Sequence, residues 1–377
     1  MNSIKRNITG AAVLLALIIG QGCSKDPQAA FVRNNPLDPG GTVCDFCTLL
    51  GGSDVETFAA MDALSDGGCI IAGSTMSFGN GGGDAWLVRL NSAGATRWAK
   101  TYGGAATEQA RCVRAAADGG FFLLAQVDAS GDTHTMASII RTDAAGEVLW
   151  QRAHGDSMVL FPHWLAVTAD QGCVIVGYGA TVSGGVYGVY GGRLIKYNAT
   201  GDTLWNVFLG SADARCVEAT PDGGLIVVTD DELVKLTGAG AITWRHPFGL
   251  STLRIVAAAD GGYLCNSSVS LVKIDASGDV VWNKNVGDYG MNYLQSVRRD
   301  PKGGYLLAGY NSWDDGDACF CGIGEDGMRR TALTLPGLGR AGEAARSAAG
   351  GCLIAGQCQR TGSKTDLFVY KTKADIY

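Results

Sequence analysis

Histidine is nearly absent from this chain. There are four in 377 residues, His134, His154, His163 and His246, and no two stand at a metal-ligand spacing. A metal centre built on imidazoles is therefore not expected. No Gly-x-Ser-x-Gly elbow and no Gly-x-x-x-x-Gly-Lys-Ser/Thr loop occurs, which removes two common signatures of nucleophilic and phosphate-binding sites. Charge is sparse, at 18% of residues, with 30 basic and 36 acidic side chains. No basic stripe with interleaved aromatics is present, so nucleic acid is not an expected partner. Proline is scarce as well: eight in all, three of them between residues 24 and 41. The one long apolar stretch, Ile8 to Ile19, is too short to span a bilayer as a helix.

That stretch follows Lys5 and Arg6 and leads through Gly20-Gln21-Gly22 to Cys23. Residues 1–22 read as a secretory signal. Small residues before a Cys resemble a bacterial lipoprotein signal, which implies that Cys23 becomes the lipidated first residue. Cys23-Ser24-Lys25-Asp26 also resembles the start of surface-exported lipoproteins of Bacteroidetes. A plain secreted protein cut near Gly22 is the alternative. Loss of Lys5 and Arg6 leaves 28 basic and 36 acidic side chains, a mature charge of −8. Residues 23–41 then form the anchor Cys and a polar tether, and residues 42–377 the folded body.

What the body has in abundance is glycine, 56 in the whole chain, in a repeating frame. Asp66, Asp118, Asp170 and Asp222 lie 52 positions apart, and each opens a turn followed by a short apolar run. A fixed period of this length marks an array of one supersecondary unit. Asp260, only 38 residues on, opens a fifth copy; the copy that runs from Asp222 has lost the loop between its second and third strands. Pro301-Lys302-Gly-Gly-Tyr and Ala349-Gly-Gly-Cys open the sixth and seventh. Each copy reads as four strands, with a hairpin turn in which Asp caps its own backbone. Gly94, Gly146, Gly201, Gly240 and Gly278 are each followed four residues later by Trp98, Trp150, Trp205, Trp244 and Trp282. One large aromatic per unit at a fixed place predicts a wedge between neighbouring sheets.

The seventh copy ends at Tyr377 without a Trp strand. Phe46, five residues before Gly51-Gly52, matches Trp98 before Gly103-Gly104. Thr42 to Leu50 is therefore expected to supply the outer strand of the last blade, closing a ring and removing exposed edges. The fold expected is an all-β, seven-bladed β-propeller of four-stranded antiparallel blades. Asp143-Ala-Ala-Gly-Glu-Val-Leu-Trp150 and Asp275-Ala-Ser-Gly-Asp-Val-Val-Trp282 resemble the repeat of quinoprotein-type (PQQ-like) propellers. The whole unit also resembles repeats of secreted Bacteroidetes propeller proteins. The resemblance covers residues 42–377 and implies a fold shared by redox enzymes and assembly scaffolds; it transfers no cofactor-binding residue.

Function is sought in the residues that the repeat does not explain. Counting back seven from each turn Asp gives Ala59, Arg111, His163, Arg215, Leu253, Gln295 and Gly342, expected near the channel mouth. Counting back four gives Asp62, Arg114, Ala166, Glu218, Val256, Arg298 and Ala345. Arg111, His163, Arg215 and Gln295 could present donors to an anionic or sugar-like ligand. The plainer reading is that they fill a wet channel and pair with Asp62 and Glu218. Tyr187 and Trp313 lie on long loops between second and third strands, where exposed aromatics suit carbohydrate or protein contacts. Asp128-Ala-Ser-Gly-Asp132 and Asp314-Asp-Gly-Asp317 leave room for a loosely bound Ca²⁺, with solvated turns as the plainer reading. No cofactor and no dedicated metal site is expected.

Of twelve cysteines, Cys69, Cys173 and Cys352 share a place in second strands, with Cys265 two residues beyond it, and Cys112 and Cys216 share one in first strands, as small buried apolar residues. Cys44, Cys47, Cys319, Cys321 and Cys358 fall outside the register, in the sixth and seventh blades. A local disulfide or free thiols near the ring closure is expected there. Together these readings point to a noncatalytic binding or scaffold module, monomeric and held by its lipid at the bacterial outer membrane, with an envelope protein or glycan as partner. The alternative is an extracytoplasmic propeller enzyme, quinoprotein-like or acting on polysaccharide.

Overall fold

A computed structural model describes residues 44–128, 135–154, 158–183, 186–249, 253–311, 316–359 and 364–373. The expected signal and tether, residues 1–41, lie outside them. The chain forms seven antiparallel sheets, six built from consecutive strands and the seventh from both ends of the chain. Glu56–Ala63, Cys69–Thr75, Asp84–Leu90 and Thr96–Tyr102 make blade 1. The first strands of blades 1 to 7 are Glu56–Ala63, Thr107–Ala115, Met158–Val167, Ala214–Ala219, Arg254–Ala257, Tyr293–Arg299 and Arg340–Arg346. Each of these packs against the first strand of the next blade, and that of blade 7 packs against that of blade 1, so the ring is closed.

Blade 7 has the order Cys44–Leu50, Thr365–Thr372, Cys352–Gln359, Arg340–Arg346. The N-terminal strand runs antiparallel to Thr365–Thr372, with Phe46 opposite Lys371 and Leu50 opposite Leu367. Blade 4 joins its second and third strands through Asp230 and Asp231 alone, as its shorter period requires.

Two devices recur at fixed register. The first is the wedge. Trp98 lies against the Gly146 turn of the next blade, where a Cβ would come 3.0 Å from its ring, and its indole N–H donates to the Ala144 carbonyl at 3.2 Å. Trp150 donates likewise to Ala199 at 2.8 Å and Trp205 to Gly238 at 3.3 Å. Phe46 takes this place at the seam: a Cβ on Gly94 would meet its ring at 2.5 Å. These turn glycines also have positive φ, +79° at Gly94 and +78° at Gly146, so both conformation and space exclude a side chain. Blade 6 departs from the pattern, with Thr331 opposite Gly322 where other blades set a Trp, or Phe46 at the seam, opposite a basic residue.

The second device is an ion pair. Each turn Asp accepts the N–H two residues on, at 3.0 Å for Asp66 and Asp118, as expected of a capping carboxylate. It also holds a basic residue of the third strand, which stands opposite the wedge: Arg89–Asp66 at 2.5 Å, Arg141–Asp118 at 2.5 Å, Lys196–Asp170 at 2.6 Å, Lys235–Asp222 at 2.9 Å and Lys273–Asp260 at 2.8 Å. The Thr220 hydroxyl and the Lys235 ammonium bring Asp222 down to about 2. Blade 6 loses both partners at once, with Lys302 and Gly322 in their places; Glu325 pairs with Arg299 and accepts the Gly304 N–H instead. Blade 7 has Ala349 at the turn, and Lys371 reaches across the seam to Asp45 at 3.0 Å.

Candidate functional site

The ring encloses a cavity of about 340 Å³ lined by first strands of all seven blades. Its charged and aromatic lining is Asp62, Arg114, Trp164, Glu218, Arg254, Arg298, Arg299 and Glu343. Most residues counted four back from the turn are here. Trp164, Arg254 and Glu343 were not singled out from sequence. They lie six back from their turns, and period-two alternation from the four-back residues would have found them.

The seven-back residues stand apart for a backbone reason. In blades 1, 2, 3, 4, 6 and 7 the register of first and second strands slips at this residue, which is Ala59, Arg111, His163, Arg215, Gln295 or Gly342. Each is the extra residue of a β-bulge, which re-aims its side chain. The expected pairing with Asp62 and Glu218 is therefore not what forms. The Arg111 guanidinium donates to Gln126 at 2.5 Å and to Gln109 at 3.3 Å. His163 Nε2 lies 2.9 Å from Asp213, and Arg215 bridges Asp213 at 3.2 Å and Asp230 at 2.7 Å. These partners sit at the end of the blades that carries the loops between second and third strands. Gln295 is half-buried beside them in register.

The cavity has two unlike walls. On one, Arg298 donates to Asp62 at 2.8 Å, to Glu343 at 2.7 Å and to the Met61 carbonyl at 2.5 Å. Glu343 also accepts the Met61 N–H at 3.0 Å, and Asp62 the Ala115 N–H at 3.0 Å. Burial alone would lower the Arg298 pKa; Glu343 and Asp62 outweigh it and raise it. This wall is a completed network. On the other, the guanidinium carbons of Arg254 and Arg114 lie 3.5 Å and 4.4 Å from the Trp164 ring centre. Each donates one N–H to a neighbouring carbonyl, of Leu253 at 2.8 Å and Val113 at 2.7 Å. Burial pushes Glu218 up to about 7, against the pull of Arg114 and Arg298 and with help from Asp62.

A second set of carboxylates lies between blades. A Cβ on Gly103 would fall on both Asp84 and Glu108, and one on Gly51 on both Asp366 and Glu56. Glu108 accepts the Gly104 N–H at 3.2 Å and Glu56 the Gly52 N–H at 3.1 Å. Burial raises Asp84 to about 6 and Glu108 to about 7.

Tyr187 belongs to a short strand, Val186–Tyr187, that extends blade 3 as a hairpin; its side chain is outside the described residues, as are Trp313 and Cys23. Beside it Tyr190 stacks on Tyr178 at 5.8 Å. Of the proposed Ca²⁺ runs, Asp132, Asp314 and Asp315 are also outside. Asp128 accepts Gln126 at 3.1 Å and Thr135 at 3.0 Å, and Asp317 accepts the Gly337 N–H at 2.9 Å.

The five out-of-register cysteines do not gather in one place. Cys44, Cys47 and Cys358 join the core between blades 6 and 7, while Cys319 and Cys321 join that between blades 5 and 6. Cys47, Cys319 and Cys321 are free, buried thiols. Burial, then Cys44 and Cys358, push the Cys47 thiol up to about 12, so it is a poor nucleophile near neutral pH.

Fold and channel together define the class: a seven-bladed β-propeller with a charged, asymmetric core channel. No family model matches the sequence. No curated protein matches it either. Among solved structures, BBS1N in complex with ARL6DN superposes with a TM-score of 0.54 at 9% identity, over 88% of this chain and 97% of that one. A protein of unknown function from Bacteroides caccae gives 0.49 at 12%, over 75% and 94%. BamB from Moraxella catarrhalis gives 0.43 at 14%, over 86% and 85%. At these identities the likeness establishes the fold alone.

Proposed function

We propose that the protein is a noncatalytic binding or scaffold propeller of the bacterial cell envelope, and that its partner is an envelope protein. One observation carries this reading. At least one of the two residues preceding each wedge is apolar and exposed in four consecutive blades: Val148 and Leu149, Leu204 beside Thr203, Ile242 beside Thr243, and Val280 with Val281, exposed by between 41% and 59%. Blade 1 has Thr96 and Arg97 here, blade 6 Arg329 and Arg330, and blade 7 Cys44 and Asp45. An apolar arc on one side of an otherwise polar rim is the signature of a docking surface. BBS1N, of the same fold, was solved in complex with ARL6DN. The face that bears the loops between second and third strands, loops to which the sequence assigns Tyr187 and Trp313, is the second surface and the one suited to a glycan.

The chain enters blade 7 at Cys44, which occupies the register of Val148. A lipid on Cys23 would thus hold the monomer to the outer membrane, periplasmic or surface-exposed, from the end of the blades that bears the arc. Native size analysis of detergent extracts tests the arc. The wild type should run in a larger assembly, and a variant with Leu149→Glu, Leu204→Glu and Val281→Glu at its own mass. Identical migration sinks the protein-docking reading. A glycan array hit that survives these changes would move the function to the loop face. Loss of a clickable fatty-acid label in Cys23→Ala tests the anchor.

A further inference from the structure

We propose that the channel cavity binds a small organic dianion, with its oxyanion groups held across the edges of Arg114 and Arg254. A guanidinium that stacks on an indole spends its face and keeps its in-plane N–H donors. Arg114 and Arg254 both lie over Trp164, and each uses one Nη1 donor on a carbonyl next to it. Neither forms an ion pair among the described residues. The Arg254 Nε is buried and has no hydrogen-bond partner. A buried charged donor without a partner costs stability, and the remaining Nε–Nη2 edge has the spacing that carboxylate and phosphate match bidentately.

Arg298 offers no such edge, because Asp62, Glu343 and the Met61 carbonyl occupy it. Of these three guanidinium groups, only those of blades 2 and 5 keep a vacant edge; the Ser296 hydroxyl of blade 6, which also lines the cavity, is buried without a hydrogen-bond partner too. The space, about 340 Å³, suits a small molecule rather than a chain. A neutral sugar is disfavoured, since the aromatic face it would stack on is covered by guanidinium groups. Glu218 faces the same space, with Arg114, Arg298 and Asp62 around it. Ionised, it repels an anion; protonated, it donates to one. The site does not depend on the rim or on the membrane reading.

Calorimetric titration of the full chain with succinate and with inorganic phosphate tests this, the two probes separating a dicarboxylate from a phosphate ligand. Saturable binding of at least one is expected, weakened about tenfold or more in Arg114→Met and in Arg254→Met, which keep an unbranched stem over Trp164. Should either variant fail to fold, the wild type and Glu218→Gln give a second readout. Succinate should bind the wild type more tightly at about pH 6 than at about pH 8, and Glu218→Gln should lose that difference. Absence of saturable binding by both probes overturns the proposal, as does binding that both Arg variants leave unchanged or a pH dependence that Glu218→Gln leaves intact.

Discussion

Blade 7 and blade 2 reach the same architecture by different routes. Blade 2 is continuous in sequence; blade 7 is stitched from residues more than 300 positions apart, yet it keeps both register devices. Phe46 presses on Gly94 as Trp98 presses on Gly146, and Lys371 holds Asp45 as Arg141 holds Asp118. The partners differ in origin, though. Asp118 belongs to the turn of its own blade and also caps Gly120, whereas Asp45 arrives on the closing strand and caps nothing in the turn. Phe46 has no indole N–H to give to the next turn. The seam repeats the packing of an intact blade with a different polar bond to the next turn, the Thr48 hydroxyl donating to the Gly94 carbonyl at 2.9 Å beside the ladder of the strand itself.

The largest break in this comparison is removal of the strand. Truncation through Leu50 should abolish cooperative thermal unfolding and expose apolar surface to dye, and a peptide of residues 42–50 should restore both. A truncated chain that still melts sharply would mean the ring does not need its clasp. Next come the wedge glycines. Gly94→Ala should lose about 2–4 kcal/mol in urea unfolding, from left-handed strain plus collision with Phe46. Gly119→Ala shares the positive φ but has no atom closer than 3.8 Å, and should lose only about 1 kcal/mol. Equal losses would show that the wedge does not bear on its turn.

Third is acidity at the interface of blades 1 and 2. The folded state favours protonated Asp84 and Glu108. The stability they confer is complete below the ordinary carboxylate range and is lost as pH rises through about 6 and about 7. The melting temperature should fall between about pH 5 and about pH 8, and Glu108→Gln should shrink that fall. An unchanged slope removes Glu108 as its source. The smallest effect is expected at the ion pairs. Asp118→Ala should cost about 1 kcal/mol, through cap and pair together, and Asp45→Ala about half of that, as exposed carboxylates on buried cations do. The reverse order would make the seam pair the stronger of the two.

The blades were legible in sequence because the turn Asp is fixed by strictly local bonds, to an N–H two residues on. The partner of that Asp was not, because its separation varies with loop length: 23 residues from Asp66 to Arg89, 26 from Asp170 to Lys196, 13 from Asp222 to Lys235. The closing strand was readable through Phe46, since a wedge must precede its Gly-Gly by a set distance. The channel was read only in part. Side-chain direction follows alternation up to the bulge and changes there, so Arg111, His163 and Arg215 were grouped with residues they do not meet. Trp164, Arg254 and Glu343 were passed over because their register neighbours Ala60, Cys112 and Cys216 look like ordinary core.

The closing strand also decides how the molecule bears load. Any pull along the N-terminal segment reaches the body at Cys44 and acts on the ladder with Thr365–Thr372. Directed along the strand, it strains all six partner pairs in shear, so that they must rupture together rather than peel one by one. The two chain ends grip each other in one sheet, and tension on the first is borne by the last.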